Sequence, residues 1–189
     1  MKQLLILILL GGFCYSQSTM MGKWKNPDHP VTPLIYQEVI NVNDQSADRL
    51  YKAIIEWASD VFVNDDVAIS FKDQDLKFIK GNTGFLVYFN GLSSKDFSGK
   101  ISFDFKIEAK DNRIRYVFDN IRHNQPPGEN GYYFGLITID ELCPYDINWY
   151  KEKMENRMWN EIKIYTDTRI QELISSLKNF MNNLQEDEW

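Results

Sequence analysis

The sequence predicts an α+β fold: a curved antiparallel sheet with two helices packed on one face, in the order strand, helix, antiparallel meander, helix. Three patterns carry this expectation. Residues 100–110 alternate apolar and polar without error, as a half-buried strand does. Apolar residues recur every three or four positions over residues 47–62 and again over 159–184, as on amphipathic helices. Two helices laid on one side of such a sheet bury its apolar face and leave the polar face in water.

The folded part is expected to begin near Leu34. Residues 34–42 are rich in β-formers, and Asn43-Asp-Gln-Ser46 then supplies turn and helix-cap chemistry. A helix follows from about Ala47 to Phe62, with Asp48 in its first turn beside the positive end of the helix dipole. Leu50, Ile54, Trp57 and Val61 form its core stripe, widened by Tyr51, Ile55, Ala58 and Phe62. Asn64-Asp-Asp66 is read as the helix end and residues 67–71 as the start of a second strand. Two further strands, 76–79 and 84–90, are expected to join across Gly81-Asn-Thr-Gly84, with a polar loop over 92–98.

The clearest element is the hairpin over residues 100–121. Ile101, Phe103, Phe105, Ile107 and Ala109 alternate with Lys100, Ser102, Asp104, Lys106, Glu108 and Lys110, which defines a strand with one wet face. Asp111-Asn112 suit a two-residue turn, because both tolerate left-handed backbone. That turn sets Ala109 opposite Ile114, Ile107 opposite Tyr116 and Phe105 opposite Phe118, all on the buried side. Cross-strand pairs of this kind each contribute about 0.2–1 kcal/mol. A slip of one residue would turn the whole apolar set to water, so the register is strongly specified.

Beyond the hairpin, residues 122–131 contain Pro126-Pro-Gly128 and read as a long surface loop, with a short edge strand expected at 136–139. The last helix carries Trp159, Ile162, Thr166, Ile170, Leu173, Leu177, Phe180 and Leu184 at helical spacing. The pattern leaves residues 147–158 open, either as part of this helix or as a separate turn.

The first sixteen residues read as an export signal that is removed. Lys2 gives the positive start, residues 4–10 the apolar run, and Cys14-Tyr-Ser16 the small residues that a signal peptidase inspects, which predicts a cut before Gln17. A lipid on Cys14 is the rival reading, but Phe13 stands where that pathway wants a small residue. The apolar run is too short for a spanning helix, which needs about 20 residues. Residues 17–33, with Gly22, Pro27, Pro30 and Pro33, read as a tether, and 34–189 as one α+β domain that is periplasmic or secreted.

Charge and composition narrow the function classes. The chain carries 27 acidic against 21 basic residues, a net charge of -6, and losing Lys2 with the signal makes it more acidic still. Nucleic-acid binding usually draws on a basic patch that releases counterions, so that class is not expected. Hydrophobic residues make up 43% and aromatics 14%, enough to fill a core and to exclude global disorder. Cys143 would be the one cysteine left after signal removal, so stability is expected from burial rather than cross-links. It reads as a small apolar filler, its thiol pKa raised by Asp140, Glu141 and Asp146.

Several stretches together resemble a known family. The run Tyr36-Gln-Glu-Val-Ile-Asn-Val42, then Ser46-Ala-Asp-Arg-Leu-Tyr51, residues 53–57, the hairpin Lys110-Asp-Asn-Arg113 leading to Tyr116 and Phe118, and a last helix with Trp159 carry the resemblance. They look like the uncharacterised secreted Bacteroidetes domain described as having a TATA-binding-protein-like fold, over about residues 34–184. The resemblance implies the fold and brings no catalytic or binding residues with it. The connection 122–150 departs from the simplest pattern of that family. A shared fold with a DNA-binding protein does not transfer DNA binding.

Candidates for chemistry are few. His29 lies in the tether, and His123 in Asn120-Ile-Arg-His-Asn-Gln125 stands beside Asp119 at the mouth of the expected loop, where it reads as a solvated residue. A secreted hydrolase using His123 is the alternative function, although no serine has a nucleophile-elbow context. Asp65-Asp66 and Asp73-Gln-Asp75 lack the glycine and distal glutamate of a calcium loop and are explained as turns. Adjacent Asp140-Glu141 rarely point into one site, and Gly81-Asn-Thr-Gly84 lacks the lysine and helix of a phosphate cradle. The sequence therefore assigns no catalytic residue, no metal ligand and no cofactor.

The wet sheet face gives the binding expectation. Glu108 should face Arg115 there, with Lys106, Lys110 and Arg113 adding positive charge that suits an acidic or carbohydrate partner. Tyr132 and Tyr133 are a second candidate surface, or equally part of the core. The expected function is a non-catalytic exported module that binds a protein or glycan partner of the cell envelope or structures an assembly there. Oligomeric state is left open.

Overall fold

The structure is a computed structural model that describes residues 20–28, 30–62, 69–90, 95–125, 131–147 and 150–184. Residues 1–16, His29, Asn64-Asp-Asp66 and Pro126-Pro-Gly128 lie outside the described residues, so the readings made on them are not addressed by it. In chain order the elements are β1 (Met20–Met21), β2 (Lys23–Trp24), β3 (Tyr36–Asn41), α1 (Ala47–Val61), β4 (Ile69–Asp73) and β5 (Phe78–Val87). A 3₁₀ turn (Lys95–Phe97) then leads to β6 (Gly99–Lys110), β7 (Arg113–Asn124), β8 (Tyr132–Tyr133), β9 (Gly135–Leu136), β10 (Tyr145–Asp146) and α2 (Glu152–Asn183).

The main sheet is antiparallel and open, in the order β3-β7-β6-β5-β4, with β9 added beside β7. The hairpin register is the one the alternation specifies: Ala109 pairs Ile114, Ile107 pairs Tyr116 and Phe105 pairs Phe118. Of the two turn residues Asn112 takes the left-handed conformation, φ 63°, and Asp111 does not. Every second residue of β6 from Gly99 to Ala109 is buried, so one complete face of the central strand is core.

Both helices cover that face. Ser46 caps α1 by accepting from the Arg49 N–H, and Leu50, Tyr51, Ala53, Ile54, Trp57 and Ala58 are buried beneath the helix. Phe62 stacks on Phe105 at 5.1 Å, and the Trp57 indole donates to Ser176 Oγ at 3.1 Å, which ties the helices together. The long helix α2 begins after Lys151, which decides the stretch left open: part of it belongs to the helix. Trp159, Ile162, Thr166, Ile170 and Leu177 are buried as the spacing predicts. Toward its end Ile174 and Met181 are buried, and Leu173, Phe180 and Leu184 are only half-buried. A 3.6-residue period carries the contact line round the helix over a length of 32 residues.

Three expectations are corrected. First, the strands expected at 76–79 and 84–90 are one strand, β5, running through Gly81 and Gly84. Gly84 serves close approach rather than a turn, since a Cβ there would collide with the Ile101 carbonyl of the neighbouring strand, and Gly81 pairs with Phe105 inside the same strand. Second, residues 122–124 are not loop: they end β7, where Arg122 and His123 pair with Leu136 and Gly135. The polar stretch before β6 is likewise partly core, because Phe97 is fully buried and stacks on Phe134 at 5.5 Å.

Third, residues 20–25 are built into the fold instead of forming a tether. Met20 and Met21 pair parallel with Tyr132 and Tyr133, and Trp24 pairs with Tyr145 and packs on its ring at 4.4 Å. Lys25 forms an ion pair at 3.0 Å with Glu155, which is buried and also accepts from the Ile147 N–H at 2.7 Å. The reason is the aromatic pairing with residues over a hundred positions away, which proline and glycine counting in the N-terminal segment cannot reveal.

Candidate functional site

The face of the sheet away from the helices is where the chemistry-bearing side chains gather. Because side chains alternate across a strand, the register that buries Phe105 and Ile107 must place Lys106, Glu108 and Lys110 on the other side. Glu108 pairs directly with Arg115 and Lys110 with Arg113, as expected. Lys106 Nζ lies 2.8 Å from Glu108 Oε1 and 4.7 Å above the Phe78 ring, and Arg115 Nη2 donates to Gln37 Oε1 at 3.1 Å. Lys80, paired with Lys106, adds a further cation. Val39, Glu108, Lys110, Arg113, Ile114 and Arg115 line a shallow cleft of about 170 Å³ at this end of the hairpin.

Farther along the same face the charge changes sign. Asp104 accepts from Asn82 Nδ2 at 2.7 Å and from Asn120 Nδ2 at 2.9 Å. Asp119 pairs with Asp104 beside an irregularity in the register, and its carboxyl pKa is raised first by burial and then by the Asp104 charge. The outer face is therefore basic toward the hairpin turn and amide-rich and acidic in its middle.

Of the residues expected to bind a partner, Lys106, Glu108, Arg113 and Arg115 lie together, and Tyr132 and Tyr133 do not join them. Tyr132 packs on Phe97 at 5.8 Å and edge-on to Tyr150 at 5.2 Å, and Tyr133 pairs with Met21. Both are half-buried. The sequence reading missed Gln37, Val39, Lys80 and Phe78. Val39 and Phe78 are apolar and residues 36–41 show no regular alternation, so only the strand order sets these residues beside the arginines.

His123 is neither solvated nor in a loop. Its side chain is fully buried in β7, its Nδ1 accepts the Phe134 N–H at 3.3 Å, and burial pushes its pKa down to about 4. With no solvent access, neither ring nitrogen can reach a substrate, which removes the placement on which a His123 hydrolase rested. Cys143 is the buried filler expected, its Sγ donating to the Tyr145 carbonyl at 3.4 Å. Burial, more than neighbouring acids, pushes its thiol up to about 12. Asp73 accepts from the Leu76 N–H at 2.8 Å and Asp140 from the Thr138 hydroxyl at 2.7 Å, so both have local partners. Among the described residues no three His, Cys, Asp or Glu side chains gather as metal ligands.

An open antiparallel sheet with two helices on its inner face places the chain in the TBP-like class of α+β folds. Residues 36–124 match the family described as a domain of unknown function (DUF4468) with TBP-like fold, the family that the sequence resembles. The fold is similar to that of a TBP-like protein from Parabacteroides distasonis ATCC 8503, with 14% sequence identity and a TM-score of 0.54. That match covers 78% of this chain and 94% of the other. A DUF4468 family protein from Bacteroides ovatus ATCC 8483 is similar at 13% identity and a TM-score of 0.50, covering 77% of this chain and 86% of its own. No curated protein matches the chain. Among the described residues no helix is long and apolar enough to cross a membrane.

Proposed function

We propose that the protein is an exported, non-catalytic module that holds an acidic partner of the cell envelope on the outer face of its sheet. One observation supports this most: Lys80, Lys106, Lys110, Arg113 and Arg115 gather on a face that no helix covers among the described residues, in a chain whose net charge is -6. Such segregation concentrates positive potential where an anionic surface can dock, and it raises association rate and specificity more than affinity. The export reading draws its support from the N-terminal sequence alone.

The test is capture from the native envelope by the wild-type protein and by the Arg113→Glu/Arg115→Glu double variant. The expected result is a partner retained by the wild type, lost by the double variant and released by salt, as screened charge attraction requires. Equal capture by both proteins, or capture by neither, ends this reading.

A further inference from the structure

The two edges of the sheet are built differently. β4 is interrupted by a register shift between Ile69 and Phe71, and a bulge of that kind discourages another strand from pairing. β3 runs through six consecutive regular pairs with β7, holds no proline, lysine or bulge, and among the described residues no strand lies beyond it.

The hairpin turn also tells which groups of β3 are open. A two-residue turn makes Lys110 and Arg113 a hydrogen-bonded pair, so Arg113, Arg115 and Val117 direct their peptide groups toward β6. Ile114, Tyr116 and Phe118 then direct theirs toward Ile40, Glu38 and Tyr36. By the same alternation the peptide groups of Gln37, Val39 and Asn41 point away from the sheet. The side chains of these three residues stand on the outer, basic face, and Val39 is 49% exposed beside the cleft that Arg113 and Arg115 line. The helix α2 meets β3 from the other side, through Asp167 to the Tyr36 hydroxyl and Lys178 to Glu38, and so leaves this edge clear.

We infer that the partner is an extended acidic peptide segment that adds to β3 as a further strand; the acidic character rests on the outer-face reading given above. Main-chain hydrogen bonds to Gln37, Val39 and Asn41 would supply affinity, as in other strand-addition complexes. Alternate carboxylates on the added strand would face the basic side of the sheet. Arg113 and Arg115 lie two strand spacings away, about 10 Å, a gap that an arginine and a glutamate side chain span together. Carboxylate pairing with guanidinium then fixes which face of the peptide looks outward.

The test uses the full chain, isotopically labelled, and three probes: an end-blocked decapeptide alternating Glu and Thr, the same peptide N-methylated at alternate residues, and polygalacturonate. The expected result is that the plain peptide shifts the amide signals of Gln37, Val39 and Asn41 and slows their hydrogen exchange. N-methylation, which removes the ladder donors, should weaken binding at least tenfold, and Arg113→Glu/Arg115→Glu should weaken the plain peptide comparably. No binding of the plain peptide at millimolar concentration, equal binding of the methylated peptide, or protection at β4 instead of β3 overturns the strand addition. Polygalacturonate binding that depends on the arginines but leaves the β3 amides unprotected also overturns it, while keeping the basic face as the partner surface. Protection of β3 that survives the double charge reversal keeps the edge and ends the acidic-partner reading.

Discussion

The two faces of the β6–β7 hairpin come from the same pair of twelve-residue strands, taken alternately. On the inner face Phe103, Phe105, Ile107, Phe118 and Ile121 are almost fully buried under two helices. On the outer face Lys106, Glu108, Arg113 and Arg115 stay at the surface, where Lys106 pairs with Glu108 and Arg115 donates to Gln37. The inner face carries stability and tolerates little change, because interiors are packed like crystals. The outer face contributes little stability, because exposed ion pairs gain little over their hydration. It is therefore free to vary without loss of the fold, and substitutions on the two faces should separate accordingly.

The largest effect should come from the inner face. Phe118→Ala removes a fully buried ring that touches Phe103 and Tyr116 at 5.6 and 5.2 Å, and should cost about 3–5 kcal/mol in urea unfolding. A loss below about 1 kcal/mol would mean that the inner face is not the core.

Next comes an acid sensitivity seated in the same layer. The folded state keeps His123 neutral down to about pH 4, whereas the unfolded chain takes up a proton near pH 6.5. Between those values the unfolded state binds more protons, so stability falls as pH drops through the window, by about 3 kcal/mol from pH 7 to pH 4. Measuring urea midpoints against pH should show a shallower acid limb for His123→Asn than for the wild type. Parallel limbs would contradict a buried neutral imidazole.

Smaller effects belong to the outer face. Arg113→Glu with Arg115→Glu places like charges opposite Glu108 and should change stability by no more than about 1 kcal/mol while abolishing partner capture. Unfolding of that variant would merge the two faces into one structural role. Lys106→Ala loses an exposed ion pair and a contact with the Phe78 ring, and should shift the unfolding free energy by only about 0.5 kcal/mol.

Where the hydrophobic period was unbroken, the chain was readable. The Ile101 to Ala109 alternation, the Asp111-Asn112 turn, the register against Ile114, Tyr116 and Phe118, and the α1 stripe through Leu50 and Trp57 all stand in the structure as the spacing requires. Gly84 misled, because a glycine in a turn and a glycine under a neighbouring carbonyl look alike in one dimension. His123 misled for the same reason: its sequence neighbours are polar, while Phe134, which packs on it, stands eleven residues on. Of the candidate site, Lys106, Glu108, Arg113 and Arg115 were legible because one hairpin carries them all. Val39 and Lys80 were not, since they reach the site from strands that only the sheet order makes neighbours.

By itself the sequence determined the β6–β7 register, the turn that joins the two strands and the buried stripe of α1, because side-chain direction there repeats with a fixed period. It also fixed the sign of the charges on the wet face. Tertiary structure alone decided that Trp24 packs on Tyr145, that the ring of His123 is sealed from water, and that β3 is the last strand on its side of the sheet among the described residues. Those outcomes depend on which distant segments meet, and burial energy acts on area removed from water without regard to separation along the chain.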